Sequence, residues 1–405
     1  MSSTQRLPVA VIGAGPVGLA AATQLATRGL DFVVLEAGDE IAASIREWAH
    51  VRLFTPWQIN TDPAARDLLE QAGWTAPDSE RLPTGGELID SYLSPLAAHP
   101  AIASHVRLGV TVTVIARQGF DKVRTVGRDT SPFLIRLSDG GELLASAIID
   151  ASGTWCTPNP LGGNGIPAHK ETEAVAAGRV FNGMPDVLGR LRAQFAGESV
   201  AVVGAGHSAT GTLLALADLA EAEPGTSLHW VLRAPNPSRA YGGGDADALA
   251  ARGAIGTRIK ALVDAGKITV HTSFLVQEIT DRSLVSADGR KIDAAVLVNS
   301  TGTRPDHGPT TELRLDLDPI LGSTRALAPL IDPNHHSCGT VPPHGVDELT
   351  HPETGFYIVG AKSYGRAPTF LLATGYEQAR SVVAALAGDW KAARDVQLEL
   401  PETGV

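Results

Sequence analysis

The stretch "VIGAGPVGLAAATQLA", Val11 to Ala26, decides the fold. An apolar run ends in Gly13-Ala-Gly15-Pro16-Val-Gly18 and passes straight into a segment rich in small residues. In that order the first glycine permits a tight turn, the second lets a ligand approach the backbone, and the third lets helix and strand pack closely. The helix start then offers free N–H groups and a partial positive charge to an anion. The next apolar run, "DFVVLEAG", reads as a second strand, with Glu36 at its end 23 residues after Gly13 (36 − 13). A carboxylate there can accept from ribose hydroxyls. Strand, loop, helix and acid together predict a dinucleotide site.

The pattern recurs at "VVGAGHSATG", residues 202–211, with Gly204 lying 191 residues beyond Gly13 (204 − 13). Strand "SVAVVG", helix "HSATGTLLALADLAEA" and strand "SLHWVLR" form a second β-α-β unit. Gly204, Gly206, His207, Ser208 and Ala209 make up its loop, and Ala209 in the third glycine's place is an accepted variant. Its second strand ends at Arg233, where the first unit has an acid. An arginine there matches a 2′-phosphate, so the loop is expected to favour NADPH over NADH, with a solvated surface charge as the plain alternative. Ser208 can equally start the helix by bonding backbone amides, with His207 merely lining the loop.

The 405 residues suit two domains, and 43% hydrophobic with 19% charged residues is normal for a globular chain. The net charge of −11 argues against nucleic acid as the main partner. The polar start "MSSTQRLP" does not read as a signal peptide, and Gly, Pro or charge interrupts every long apolar run, so no membrane span is expected. Cys156 and Cys338 form neither a C-x-x-C pair nor a zinc set, which fits a reducing cytoplasm.

Between the two units, residues 40–115 are irregular and aromatic, then helical at "AARDLLEQAG" and "GGELIDSYLSPLAA". Strand-like runs follow at 106–116, 132–137 and 143–151, and later at 293–302. A linker-like stretch over 303–350 precedes strand "GFYIVG" and helix "APTFLLATGYEQARSVVAALAG". The class is therefore α/β, with two Rossmann-like dinucleotide-binding domains. The expected FAD domain is discontinuous, 1–165 and 300–405, with an NADPH domain at 166–299 inserted into it. Two such sites imply hydride traffic from a visiting nicotinamide to a resident flavin.

These motifs resemble the flavoproteins with two dinucleotide-binding domains, the glutathione and thioredoxin reductase-like fold, and in particular the flavin-containing (class B type) monooxygenases. The residues carrying the resemblance are the first loop with Glu36, "WAHVRLFTPWQIN" (48–60), "DASGTWCTPNP" (150–160), the second loop, "NSTGTRPD" (299–306) and "GFYIVG" with "GYEQARSVVAAL". The resemblance implies an active-site role for Asn60, and with it Trp57, beside the flavin. It also implies domain crossings at "ASGT" and "STGT", flanked by Asp150 and Asp306. Arg52, Gly153, Gly302, Gly360 and Arg366 join the loop residues as expected cofactor contacts. Val187, with Asp186 beside it, stands where the family's F-x-G-x-x-x-H fingerprint has histidine, which argues against Baeyer–Villiger chemistry. The acid that follows the C-terminal glycine in disulfide reductases of this fold is replaced by Ala361 and Lys362.

The expected activity is NADPH-consuming oxygenation of a small molecule at a soft N or S centre, through a C4a-(hydro)peroxyflavin, with molecular oxygen as co-substrate. Trp48 and Trp57 are candidate pocket walls or ordinary half-buried aromatics, and Asn60 is alternatively a turn residue. The alternatives are a flavin reductase of an external acceptor (electron carrier, quinone or disulfide) and a redox-sensing flavoprotein. A homodimer is compatible with either. "DPNHHSCGTVPPHG" (332–345) holds His335, His336, Cys338 and His344, but its Pro-rich spacing fixes no shared face, so no metal is expected. Tyr364 and Arg366 precede the last helix, and Arg239 with Tyr241 precedes a Gly-rich loop at 242–249.

Overall fold

The computed structural model describes residues 7–242, 250–336 and 341–398. Two compact units divide the chain: one runs through Cys156 and resumes at Pro305, and the other is Thr157–Arg304.

Strands are numbered along the chain. In the first unit β1 (Val9–Ile12), β2 (Phe32–Leu35) and the short β3 (Val106–Arg107) are parallel neighbours. An antiparallel meander follows, of β4 (Val112–Arg117), β5 (Phe133–Leu137) and β6 (Glu142–Ala145), before β7 (Ala147–Asp150) returns to β1 with Ile12 opposite Asp150. The expected single run over 143–151 is thus two strands in different sheets. Ser146 is the joint, its N–H and Oγ both donating to the Pro8 carbonyl.

The second unit contains β8 (Val180–Asn182), β9 (Ser199–Val203), β10 (Ser227–Val231) and β11 (Thr269–His271). The meander of β12 (Val276–Ile279), β13 (Ser283–Ser286) and β14 (Lys291–Asp293) precedes β15 (Val296–Asn299). Its parallel sheet has the order β11-β10-β9-β15-β8. The chain then re-enters the first unit and adds β16 (Phe356–Ile358), giving β16-β7-β1-β2-β3.

Each unit repeats one layering, because its parallel strands are buried on both faces and read as continuous apolar runs. Val9 and Val11 of β1 join the helix-side core with Leu19 and Val382, while Ala10 joins Ile115 and Phe133 on the meander side. In the second unit Val200 and Val202 of β9 pack with Leu213 and Leu216, and Ala201 and Val203 with Leu284. The alternation is the period-two geometry of a strand.

The linker-like reading of 303–350 is corrected. Leu313, Leu327, Ile331, Val346 and Leu349 are buried, and short helices form at Ala328–Ile331 and Val346–Leu349. These elements are too short to show a period in sequence, yet they close the first unit's core.

Candidate functional site

The first loop leaves the carboxyl end of β1 and opens the helix Pro16–Thr27. Gly13 has φ +98°, and a Cβ there would lie 2.8 Å from the Ala151 carbonyl. A Cβ on Gly18 would lie 1.9 Å from the Gly13 carbonyl, whereas one on Gly15 would meet nothing within 4 Å. Gly13 and Gly18 thus hold the packing, and Gly15 is the open position. Pro16 sits in the first turn, and no side chain caps that helix start. Its first N–H groups are left for a ligand, and this cradle fits a dinucleotide's pyrophosphate. Glu36 is buried beneath the loop, accepting from Ala14 N–H at 2.6 Å and Gly38 N–H at 2.9 Å. Each carboxylate oxygen keeps a second lone pair for a ribose hydroxyl.

The second loop repeats the arrangement with one change. Gly204 has φ +140°, and a Cβ there would lie 2.2 Å from the Ser300 carbonyl. The helix His207–Ala222 starts after Gly206 with no side-chain cap, and Gly206 is open. Ser208 is half-buried and His207 exposed on the first turn. Ala209 is fully buried. In this loop the Trp230 indole N–H donates to the Gly204 carbonyl at 2.7 Å, tying the turn to β10. Arg233 is exposed two residues beyond β10.

The crossings are held by side chains. Gly153 and Gly302 both have positive φ. Asn299 donates to the Asn159 carbonyl and to Asn182 Oδ1, Ser300 donates to the Gly183 carbonyl, and Thr301 Oγ1 donates to Asn299 Oδ1. Asp186 accepts from Gly189 and Arg190 N–H groups and so fixes the turn where the family fingerprint differs. Asp306 is exposed and accepts from Gly308 N–H.

At the carboxyl edge of the first sheet the structure assembles a group that the sequence does not reveal. Lys362 Nζ donates to Asp150 Oδ2 at 2.7 Å and to Ser152 Oγ at 3.1 Å, and Ser152 Oγ donates to Asp150 Oδ1 at 2.6 Å. Lys362 and Asp150 are both buried. Burial pushes the Asp150 carboxyl up, but the Lys362 ammonium and Ser152 outweigh it and hold the group below the usual range. The only signal in sequence is a lysine in the otherwise uncharged "GAKSYG" (360–365). Gly360 packs against Val17 of the first-loop helix, and its N–H donates to the buried Gln378. Gln378 also bonds Ser363 and His344, so His344 belongs to a polar chain inside this unit.

The segment around Asn60 is placed differently from the expectation of a side chain facing the reaction. Asn60 is buried, with Nδ2 donating to the Thr55 and Pro56 carbonyls and Oδ1 accepting from Thr55 Oγ1. Both its N–H donors are spent on the turn, which is the alternative reading of "QINTDP". Its carbonyl accepts from the Tyr376 hydroxyl at 2.8 Å. Trp57 is buried and walls a small cavity of about 40 Å³ with Arg66 and Trp74. Trp48 is half-buried and tilted against Trp155 at 6.4 Å. On the far side of Gln58 and Thr61 lies an open cavity of about 550 Å³, lined in part by Asp62, Asp67, Tyr376, Glu377 and Arg380. Burial pushes the Asp62 carboxyl up to about 6.

Arg52 is exposed, donating to the Leu82 carbonyl beside Glu87, and Arg366 is exposed after the buried Tyr364. Arg239 and Tyr241 form a short turn, Ser238–Tyr241; residues 243–249 lie outside the described ones. Cys156 is exposed, and partial burial with Glu47 nearby pushes its thiol up. A reactive redox cysteine needs the opposite shift. His335 and His336 close a turn on Asp332, and Cys338 lies outside the described residues. No helix among the described residues is long and apolar enough to cross a membrane.

Comparison with known proteins agrees with this architecture. A rice (Oryza sativa subsp. japonica) indole-3-pyruvate monooxygenase, YUCCA1, is 30% identical over 208 residues, which is 49% of this chain and 42% of that relative's length. The bacillithiol disulfide reductase Bdr of Bacillus cereus shares the fold at a TM-score of 0.68 and 19% identity, over 95% of this chain and 99% of its own. DfoA of Erwinia amylovora, the cadaverine monooxygenase of desferrioxamine biosynthesis, determined with FAD bound, matches at a TM-score of 0.66 and 14% identity, over 99% of both chains. The flavin-containing monooxygenase of Stenotrophomonas maltophilia matches at 0.55 and 20%, over 94% of this chain and 99% of its own. The family model described as pyridine nucleotide-disulphide oxidoreductase matches residues 10–320, and the chain belongs to that family.

Proposed function

We propose that the protein is an FAD-dependent, NADPH-consuming monooxygenase that oxygenates a small molecule at a soft N or S centre. The observation that carries this reading is the pair of glycine turns, each opening a helix that no side chain caps, at the carboxyl ends of two separate parallel sheets. The rice relative and DfoA are monooxygenases, which favours oxygen insertion. The raised Cys156 thiol argues against a dithiol mechanism at that residue.

The chain's own groups have distinct tasks. The N–H groups after Gly15 hold the FAD pyrophosphate, with Glu36 accepting from its ribose. The N–H groups after Gly206, with His207 and Ser208 on the first turn, hold the NADPH pyrophosphate, and Arg233 pairs the 2′-phosphate. Asn60 acts as a positioning residue: it closes the Thr55–Asn60 turn that carries Trp57. Bound flavin supplies the hydride acceptor and the oxygen chemistry, and the protein orients it and excludes water.

The test is turnover of the FAD-reconstituted protein under ¹⁸O₂ with a panel of amines and thioethers, and with NADH run beside NADPH. The expected result is one ¹⁸O atom per product molecule and a preference for NADPH. NADPH oxidation that yields no labelled product, yet continues without oxygen when a quinone or disulfide is supplied, would replace this reading by a reductase.

A further inference from the structure

We infer that Lys362 is an anion-anchoring residue for the cofactor pyrophosphate at the first loop, held ready by Asp150 and Ser152. The inference rests on the FAD reading of that loop and adds a side chain to it.

The loop from Gly13 to Gly18 carries no basic residue, although a pyrophosphate brings two negative charges into a chain of net charge −11. Backbone N–H groups and a half-charge at the helix start offset only part of this. Ligands of open parallel sheets bind outside the carboxyl ends of the strands. Asp150 is the last residue of β7, flanked in register by Ile12 of β1 and Ile358 of β16, so a bare carboxylate would face the anion there.

Lys362 removes that repulsion. Its ammonium lies 2.7 Å from Asp150 Oδ2 and 3.1 Å from Ser152 Oγ, and the side chains of the ion pair are 5% and 3% exposed. The cluster adjoins the loop directly: a Cβ on Gly13 would lie 3.2 Å from Ser152 Cα. An ammonium has three donors, and these two bonds occupy two of them. A buried pair costs desolvation that its attraction only partly offsets, so it is weak evidence of a purely stabilising role. Lysine is a recurrent phosphate ligand as a point charge.

The experiment compares the wild type with Lys362→Met/Asp150→Asn, which removes both charges and leaves neither stranded, and with Lys362→Arg, which keeps the cation. Dissociation constants for FAD and for riboflavin, which lacks the pyrophosphate, are read by flavin fluorescence on apoprotein whose fold is checked by circular dichroism. The double variant is expected to bind FAD about 10- to 100-fold more weakly, the worth of one charge-assisted hydrogen bond, with riboflavin binding unchanged. Lys362→Arg is expected to retain most of the FAD affinity. Equal FAD affinity in wild type and double variant, or equal loss of FAD and riboflavin, would overturn the inference and leave the pair a structural element. A wild type that binds no FAD would instead remove the cofactor reading beneath it.

Discussion

At the residue scale, the two glycine loops show how one fingerprint tolerates different third residues. Gly18 has no room for a methyl group, because the Gly13 carbonyl occupies the site where a Cβ would stand. At the second loop the Ala209 methyl is accommodated and buried, and the corresponding carbonyl, Gly204 O, accepts from the Trp230 indole. Gly18→Ala is therefore expected to force the first loop and its helix apart, abolishing FAD retention on gel filtration and lowering the urea midpoint. Ala209→Gly removes a buried methyl and a helix former, and should cost about 2 kcal/mol in urea unfolding while the second loop keeps its shape. A large loss from Ala209→Gly would show that the second loop depends on that methyl for its shape.

At the scale of elements, one buried carboxylate fastens the antiparallel meander to the returning chain. Glu353, just before β16, accepts from Arg117 Nε at 2.7 Å and Arg128 Nη2 at 2.8 Å, and from the Arg314 N–H at 2.9 Å. Arg117 also donates to the Thr354 carbonyl and stacks 3.7 Å from the Phe133 ring centroid. Burial raises the Glu353 carboxyl, but the two guanidinium groups outweigh it and hold it below the ordinary range. Glu353→Gln leaves two buried guanidinium groups without a counter-charge, and the expected cost is about 3–5 kcal/mol in urea unfolding. A loss below about 1 kcal/mol would mean that water reaches the arginines. None of this is legible in sequence, since Arg117 and Glu353 are 236 residues apart. The short helices between 303 and 350 are equally silent, because four-residue elements carry no period to read. The β-α-β units are legible for the opposite reason: their strands are unbroken apolar runs, and their turns require glycine locally.

At the scale of the whole molecule, the discontinuous unit carries two buried histidines, His344 and His351, and the half-buried His307, which set its response to acid. Burial pushes His307 and His344 below the usual imidazole range, and His351 down to about 4. Folded, they are neutral; unfolded, they take up a proton near pH 6.5. Their contribution is therefore fully present above pH 6.5 and is lost as pH falls below it, for His351 toward 4. Asp62 works the other way. Its carboxyl is raised to about 6, so its contribution is present below pH 4 and is lost as pH rises through 6. With His229 and His271 of the second unit lowered likewise by burial, five groups against one predict a falling Tm between pH 6.5 and 5. His351 alone accounts for about 3 kcal/mol by pH 4. His351→Asn should flatten that slope and Asp62→Asn should steepen it, both by scanning calorimetry. A Tm that rises on acidification would refute the assignment of neutral histidines.

What the sequence by itself determined is the class of the molecule: two strand–glycine–helix units, an acid after one and an arginine after the other, in one α/β chain. Those features are local, since a tight turn, a buried strand and a helix start each depend on residues within a few positions of one another. The tertiary structure decided what surrounds them. It placed Lys362 against Asp150, 212 residues away, beside the first loop. It drew Asn60 into its own turn and gave Ala209 the space that Gly18 lacks. Distances between side chains far apart in sequence are set by sheet order and packing, and neither is written at any single position.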